Sequence, residues 1–217
     1  IPAVEQGMTA TRRLGLLGAS VTQHPQFNDL LQWLGQPQFD DTRISVSSVR
    51  AATVTPQLAT SLANRGSKSI TIAIESGSER LRQVVNKKLS ESEIHAAARY
   101  AKEGGLSALK LYGMAGLPSE EDEDIEATAS LLLALKKATP GLRLSLGVSS
   151  FVPKAHTPFQ WQGVRPEAEK RLKLLAKRLK PKGIELRPES YGWSVIQALL
   201  SRSDRRLAPV IAAVRGK

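Results

Sequence analysis

Polar or glycine-rich residues follow each of five short aliphatic runs along the chain, and their types suit the binding of a ligand. In parallel α/β folds, ligands bind beyond the carboxyl ends of the strands, so these residues are the candidates for chemistry. A rim that only completes the fold would not require so many glycines and hydroxyl groups. The sequence therefore predicts a binding site at one edge of a sheet, formed by Gly18, Ala19, Ser20, Ser48, Arg50, Glu75, Ser76, Gly113, Gly116 and Pro153.

Five of these positions have side chains or backbones with a definable chemical use. Ser48 and Arg50 are two residues apart and so point the same way on an extended chain. Arg50 suits either a ligand carboxylate, held by two parallel hydrogen bonds, or a salt bridge at the rim. Glu75 suits either the hydroxyls of a sugar or the cap of the following helix. Gly113 and Gly116 permit close approach to a flat ligand, although loop geometry alone also explains them.

Several classes of catalytic site are excluded by composition and spacing. The 217 residues include no cysteine, which excludes a disulfide framework, a thiolate metal site and a cysteine nucleophile within them. His24, His95 and His156 lie far apart and have no metal-ligand spacing. No Ser-His-Asp arrangement, Walker loop or Gly-x-Gly-x-x-Gly fingerprint is present. We therefore predict no metal ligand within the chain and assign no catalytic residue.

The elements that must position the site are predicted from periodicity and capping signals. The aliphatic runs begin about 25–40 residues apart, the spacing of βα units rather than hairpins. Parallel strands joined by helical crossovers predict either an open doubly wound sheet or a barrel. The predicted strands are Leu14–Ala19, Ile44–Val49, Ser69–Glu75, Ala108–Gly113 and Leu142–Ser149. Capping boxes are predicted at Ser76 with Glu79, Ser90 with Glu93, and Ser119 with Asp122.

The last quarter of the chain differs in character and charge. Residues 165–217 carry 14 of the 31 basic residues against 5 of the 20 acidic ones, a net +9 of the total +11. We predict a helical extension there, with helices over Arg165–Lys180, Ser190–Leu200 and Arg205–Val214 and a short strand at Ile184–Leu186. Trp193, Ile196 and Leu200 are expected on one helix face. The charge indicates either an anionic partner such as RNA or, as we favour, a solvated helix surface.

Four strand-end motifs follow one another along the chain, at residues 44–50 with 53–58, 70–81, 110–122 and 150–158, and two more lie in the tail at 193–200 and 204–209. In this order, the strand-end motifs resemble those of radical S-adenosylmethionine (radical SAM) enzymes. The tail is most similar to cobalamin-binding radical enzymes of unassigned substrate, within a branch that includes the tRNA methylthiotransferases and the Elongator catalytic subunit.

The resemblance implies a partial (β/α)6 barrel over residues 1–164, supplying strands two to six, followed by the extension at 165–217. It implies S-adenosylmethionine bound through Gly18-Ala19-Ser20 at the methionyl amine, where the family often has an acid that is missing here. Ser48 and Arg50 would face the methionyl carboxylate or the sugar, Glu75 the ribose, and Gly113 to Gly116 the adenine.

The resemblance also implies a four-iron four-sulfur cluster, whose open iron delivers the electron that cleaves S-adenosylmethionine to a 5′-deoxyadenosyl radical. The family's Cys-x3-Cys-x2-Cys motif is absent from this sequence. We therefore expect the cluster ligands in a segment before Ile1, and this chain alone to be inactive. A preceding cobalamin domain is compatible with the resemblance. The substrate, RNA included, is not specified by these residues.

Two rival functions remain open at this point. A phosphate-binding isomerase or aldolase barrel would need a glycine-rich loop after a late strand, whereas the loop after Val148 is rich in Phe, Pro and His. A non-catalytic RNA-binding protein would use the basic tail. No apolar run approaches the ~20 residues that span a bilayer, so we expect no membrane contact. The lack of cysteine is compatible with the cytoplasm, where we place the protein.

Overall fold

A computed structural model describes residues 1–214 as an α/β fold of parallel strands and helices. Arg215, Gly216 and Lys217, part of the predicted extension, lie outside the described residues. The strands are β1 (Arg13–Leu16), β2 (Arg43–Val46), β3 (Ser69–Glu75), β4 (Ala108–Ala115), β5 (Arg143–Ser150) and β6 (Glu185–Pro188). The α-helices are α1 (Pro2–Met8), α2 (Phe27–Leu34), α3 (Pro56–Asn64), α4 (Glu79–Val84), α5 (Glu91–Glu103), α6 (Asp122–Ala138), α7 (Glu167–Leu179), α8 (Tyr191–Arg202) and α9 (Ala208–Ala213). Short 3₁₀ turns occupy Val21–Gln23, Pro37–Phe39, Ala51–Thr53, Lys180–Lys182 and Arg205–Leu207.

The order of the strands distinguishes the two topologies that the sequence left open. β1 pairs with β2, and β3 to β6 form a second parallel sheet in chain order. A parallel bridge between Val49 and Ile72 joins the two sheets. When every crossover is right-handed and the strands follow chain order, all crossover helices fall on one face of the sheet. That arrangement is a partial barrel, as expected, because a doubly wound sheet reverses its strand order.

The two faces of the sheet have opposite character. Side chains alternate between the two faces along β3, β4 and β5, and the aliphatic ones are buried beneath the helices. The side chains of the opposite face are half-buried or exposed and mostly polar. We call this concave surface the inner face. The buried set includes Ile70, Ile72, Ile74, Leu109, Leu111, Leu144 and Leu146. The inner face includes Thr71, Glu75, Lys110, Tyr112, Ser145, Ser149 and Arg187.

The part of the chain after residue 164 also contributes to the sheet. α7 packs against α6, β4 and β5, and β6 pairs with β5 from Ser145↔Glu185 to Val148↔Pro188. The short strand expected at Ile184–Leu186 is therefore present. The boundary drawn at residue 164 stays a prediction.

Trp193, Ile196 and Leu200 share one face of α8, as predicted, but that face is exposed to solvent. The buried residues of the helix are Ser194 and Ala198. Small residues at this spacing let the helix lie close to the end of β5, and they leave the large side chains in solvent. Within residues 1–214, every helix is too short or too polar to cross a bilayer.

One of the three expected capping boxes forms as predicted. Ser90 and Glu93 cap α5 reciprocally. α4 is instead capped by Ser78. The Ser76 hydroxyl accepts the Ser78 N–H, and Ser76 lies two residues before this cap. α6 is capped by Glu121, because Ser119 has a left-handed φ of 57° and bonds its neighbour's carbonyl.

The loop that follows β3 is packed directly against α6. The Gly77 N–H donates to the Thr128 hydroxyl at 2.9 Å, and a Cβ on Gly77 would overlap the Thr128 backbone. The hydroxyl of Ser78 donates to Asp124, which also accepts from the Glu121 N–H and from Arg80. This contact between the loop and α6 fixes the direction in which β3 ends.

Replacing Gly77 with alanine is expected to destabilise the fold. The added methyl group must displace either the loop or α6, which costs about 1–3 kcal/mol for overpacking in a close contact. Urea unfolding monitored by circular dichroism measures the loss. Gly163→Ala is the matched control, because a Cβ at that position meets nothing within 4 Å. Equal stability of the two variants would show that α6 yields without cost.

Asp124 is expected to make stability depend on pH. Burial acts to raise its pKa, but hydrogen bonds from Ser78, the Glu121 N–H and Arg80 outweigh burial and lower the pKa below its ordinary 3.8. Because folding lowers this pKa, the ionised group stabilises the fold above pH 3.8, and that contribution is lost as pH falls through the folded-state pKa.

Asp124→Asn is therefore expected to lower the free energy of unfolding at pH 7 by about 1–2 kcal/mol. The difference from the unmodified chain should shrink below pH 3.8. Urea titrations at both pH values measure it, with the exposed Asp29→Asn as control. A difference that is the same at both pH values would contradict the role given to the charge.

Candidate cofactor site

Two adjoining cavities open at the carboxyl end of the sheet and along its inner face. The first, of about 550 Å³, is lined by Gln23, Arg50, Ala51, Ala52, Ala73, Glu75, Val85, Asn86, Lys87, Lys88, Leu89 and Met114. The second, of about 530 Å³, lies along the inner face of β4, β5 and β6 and is lined on one side by Gly113. Both cavities share Glu75 and Met114. Each is of the size that holds a small-molecule ligand.

Glu75 lies between the two cavities because of an irregularity in β3. Ala73 pairs with Tyr112, but Glu75 pairs with the very next residue, Gly113, so β3 contains one extra residue. Glu75 also has a left-handed φ of 62°. A bulge of this kind redirects a side chain, and a non-glycine residue in this conformation costs about 1–3 kcal/mol unless its surroundings hold it.

Gly113 permits the bulge. A Cβ at Gly113 would lie 3.1 Å from the carbonyl oxygen of Glu75, which is closer than such contacts normally are. The sequence assigned Gly113 to the approach of a ligand. In the structure the backbone that approaches it most closely is that of Glu75, and Gly113 also borders the second cavity.

Lys87 is a site residue that the sequence analysis missed. Its Nζ lies 2.7 Å from Oε1 of Glu75, and both side chains are about one quarter exposed. Asn86 and Lys88, on either side of it, have left-handed φ values of 52° and 45°. Since α4 is capped by Ser78, the reading of Glu75 as a helix cap is excluded. The Asn-Lys-Lys run looked like an ordinary turn and gave no sign of this long-range ion pair.

Arg82 joins the loop of Glu75 to the loop of Lys87. Its side chain is 1% exposed, and its guanidinium donates to the carbonyls of Ser76, Gly77 and Leu89 at 2.8–3.0 Å. Burial lowers its pKa, an effect opposed by the charges of Glu79 and Glu91. This contact fixes the distance between the two loops and so brings Lys87 to Glu75.

Arg50 lies where the sequence placed it, on the wall of the first cavity. It is exposed and forms no salt bridge with any residue in the described range, which favours the ligand-binding alternative over a rim salt bridge. Ser48 is exposed on the same segment but is not part of the cavity wall.

The segment after β1 approaches the site through different residues from those predicted. Gln23, not Gly18, Ala19 or Ser20, lines the first cavity. The Thr22 hydroxyl lies 2.6 Å from that of Thr53, which ties this segment to the one that follows β2. The hydroxyl of Ser20 is buried with no hydrogen-bond partner within residues 1–214. A bound polar group would satisfy it, since such atoms are costly to leave unpaired.

Three predicted residues are held away from the cavities by packing. The Ser76 hydroxyl is buried against Ser78 and Thr128. Gly116 has a φ of 81°, and a Cβ there would lie 2.8 Å from that of Ala168 on α7, so its glycine serves helix packing. Pro153 is buried and lines neither cavity.

A buried ion pair anchors the loop after β4. Glu120 is 3% exposed and accepts from the Gly116 N–H at 2.6 Å and from Nη1 of Arg171 at 3.0 Å. Burial raises the pKa of Glu120 above its ordinary value, against the lowering effects of Gly116 and Arg171. The pair connects the loop between β4 and α6 to α7.

Comparison with known proteins gives the family. Residues 7–132, more than half of the chain, match the model of the radical SAM superfamily. An uncharacterised protein of Methanocaldococcus jannaschii is 34% identical over 208 residues, covering 94% of this chain, which in turn spans 45% of that relative. Coproporphyrinogen III oxidase of Escherichia coli, a radical SAM enzyme, aligns with 93% of this chain and 40% of its own at 18% identity and a TM-score of 0.48. By the family match, the chain belongs to the radical SAM superfamily.

Proposed function

We propose that this chain is the S-adenosylmethionine-binding part of a radical SAM enzyme. The observation that carries the proposal is the Glu75–Lys87 pair on the wall of a cavity that also contains Arg50, at the carboxyl edge of a parallel sheet. Family membership supports the cofactor class. Because the chain spans less than half of its relative, the activity of a whole protein is also part of the proposal.

The residues of the first cavity fit the parts of the cofactor. Lys87 bonds Oε1 of Glu75 and leaves Oε2 free to accept from a ribose hydroxyl. Arg50 offers two parallel donors to the methionyl carboxylate. Met114 and Ala73 supply an apolar surface beside Gly113 for the flat adenine. When bound, the cofactor supplies a 5′-deoxyadenosyl radical by reductive cleavage, and this chain's residues orient it and limit its contact with water.

The iron–sulfur cluster of the family does not fit the residues of this chain. The sequence has no cysteine, and within residues 1–214 no group of three or more His, Asp or Glu side chains is close enough to hold a metal ion. We propose that the cluster ligands come from residues beyond these 217, and we assign no step through the cluster to this chain.

The alternatives are less well supported by the site. The loop after Val148 is rich in Phe, Pro and His rather than glycine, which disfavours a phosphate-binding barrel. Part of the basic charge on α7 is neutralised in place, by Lys173 with Glu169 and by Arg178 with Glu126, which weakens the case for RNA. Participation of cobalamin and membership of the methylthiotransferase branch stay predictions from the resemblance.

Glu75→Gln is expected to weaken binding of S-adenosylhomocysteine, a stable analogue of the cofactor, about tenfold, because a charge-assisted hydrogen bond to the ribose is lost. Isothermal titration of the chain measures the affinity. Binding of 2′,3′-dideoxyadenosine, which lacks the hydroxyls, should not change.

Glu79→Gln is the matched control for this prediction, since Glu79 is an exposed acid four residues further along the chain and lines neither cavity. Unchanged affinity of Glu75→Gln for S-adenosylhomocysteine would contradict the assignment of this cavity to the cofactor.

Anaerobic reconstitution of the chain with iron and sulfide is expected to leave no bound cluster after desalting, because no thiolate is available. Iron and sulfide analysis together with the visible absorption spectrum measures this. A stoichiometric cluster that survives desalting and cleaves S-adenosylmethionine would refute the proposal that the ligands lie elsewhere.

A further inference from the structure

The second cavity has a built wall that the cofactor assignment does not use. Tyr112, Gly147 and Arg187 lie side by side on β4, β5 and β6, in register across the inner face. With strands about 4.8 Å apart, they span about 10 Å. The cavity of about 530 Å³ is open above them and reaches the first cavity at Glu75 and Met114.

Tyr112 forms a flat platform in this wall. Its side chain is 51% exposed, although its neighbours Leu111 and Gly113 are buried. A Cβ on Gly147 would lie 2.7 Å from Cδ1 and Cε1 of Tyr112, so this edge of the ring lies against the bare backbone of Gly147. The contact holds the ring by its edge, and the exposed half of the residue leaves a ring face open to the cavity. An aromatic ring presented in this way stacks on another planar ring.

Charge is distributed unevenly along the height of the cavity. At and below the level of Tyr112, Lys110 and Arg187 line the cavity, and Arg143 and Glu185 lie on the adjoining parts of β5 and β6. Arg187 pairs with Glu185 at 2.8 Å, and this pair, with the further attraction of Lys110 and Arg143, lowers the pKa of Glu185.

The acidic groups lie at the opposite end of the same cavity. Glu75 and Glu189 are at the upper rim, towards the carboxyl ends of β3 and β6. Within this cavity a bound anion is thus favoured near the floor, beside Lys110 and Arg187, over the rim at Glu75 and Glu189.

We propose that the wall formed by Tyr112, Gly147 and Arg187 is the substrate subsite and that it takes a planar ring carrying a negative charge. The ring stacks on Tyr112, and its anionic group points down to Arg187 and Lys110. The remaining edge of the ring faces Glu75 and the first cavity. This inference rests on the proposed function, since it takes the first cavity as the place of the cofactor.

Four small probes separate ring stacking from charge. Phenyl phosphate and benzoate carry both features and differ in the anion. Cyclohexanecarboxylate has the charge without the planar ring, and benzyl alcohol has the ring without the charge. Titration of the ¹⁵N-labelled chain, followed at the amide signals of Tyr112 and Gly147, measures each affinity. We expect saturable shifts with at least one planar anion, and at least about fivefold weaker binding of the two controls.

Variants of the wall test the residues individually. Tyr112→Ala is expected to weaken binding of the planar anion about fivefold, whereas Tyr112→Phe keeps it because the platform remains. Arg187→Gln is expected to weaken it about tenfold through loss of a charge-assisted contact. The matched control is Arg178→Gln, an exposed, ion-paired arginine on α7 that lines neither cavity.

The outcomes separate this inference from the proposed function. No saturable shift with either planar anion, equal binding of all four probes, or no effect of Tyr112→Ala and Arg187→Gln overturns the subsite, even where S-adenosylhomocysteine binds the first cavity. If the planar anion binds as expected while S-adenosylhomocysteine does not bind, the ligand site stands and its role as substrate subsite of a radical SAM enzyme is refuted.

Discussion

The buried guanidinium of Arg82 is the contact on which the cofactor site depends. It donates to two carbonyls of the loop after β3, those of Ser76 and Gly77, and to that of Leu89 beyond α4. These carbonyls belong to loops that have no strand or helix partner of their own at those points. A buried polar group left without a partner costs about 1–3 kcal/mol, so the guanidinium both satisfies the loops and fixes their separation. The Glu75–Lys87 pair spans that separation at 2.7 Å.

The surrounding contacts stabilise a strained backbone conformation at Glu75, and this conformation directs its side chain. The bulge and the left-handed φ of 62° turn its carboxylate into the space between two cavities, instead of leaving it on a regular strand position. The fold supports this conformation from three sides: Gly113 leaves room beside the carbonyl, Gly77 packs the next turn onto α6, and Lys87 holds the carboxylate. Strain at such a position is typical of functional sites, where the surroundings hold a geometry that the chain alone would not choose.

From the sequence we could predict the strands and the edge of the sheet at which the site lies, but not the roles of several individual residues. The five aliphatic runs predicted β1 to β5 because the alternation of buried side chains is a local property. The alternation did not reveal the bulge in β3. Because the bulge adds one residue to the strand, the side chains after it change to the other face of the sheet. Ser76 therefore looked equivalent to Glu75 but is buried against Thr128. Gly116 is needed for the packing of α7. Lys87 lies in a turn and pairs with Glu75, 12 residues earlier. Both roles depend on tertiary contacts that the spacing of residues in the sequence does not show.

The contacts that shape the first cavity are all made by residues of this chain. Glu75, Lys87 and Arg82 hold one another through protein contacts alone, so the shape of the first cavity does not require a metal cluster to organise it. The network that sets the end of β3 is likewise made of Gly77, Ser78, Asp124 and Thr128. A cavity organised in this way is formed before its ligand arrives, and binding then avoids the entropy of ordering loops. In the proposed cofactor site, the sheet and these contacts would therefore set the position of a bound ribose relative to the wall at Tyr112.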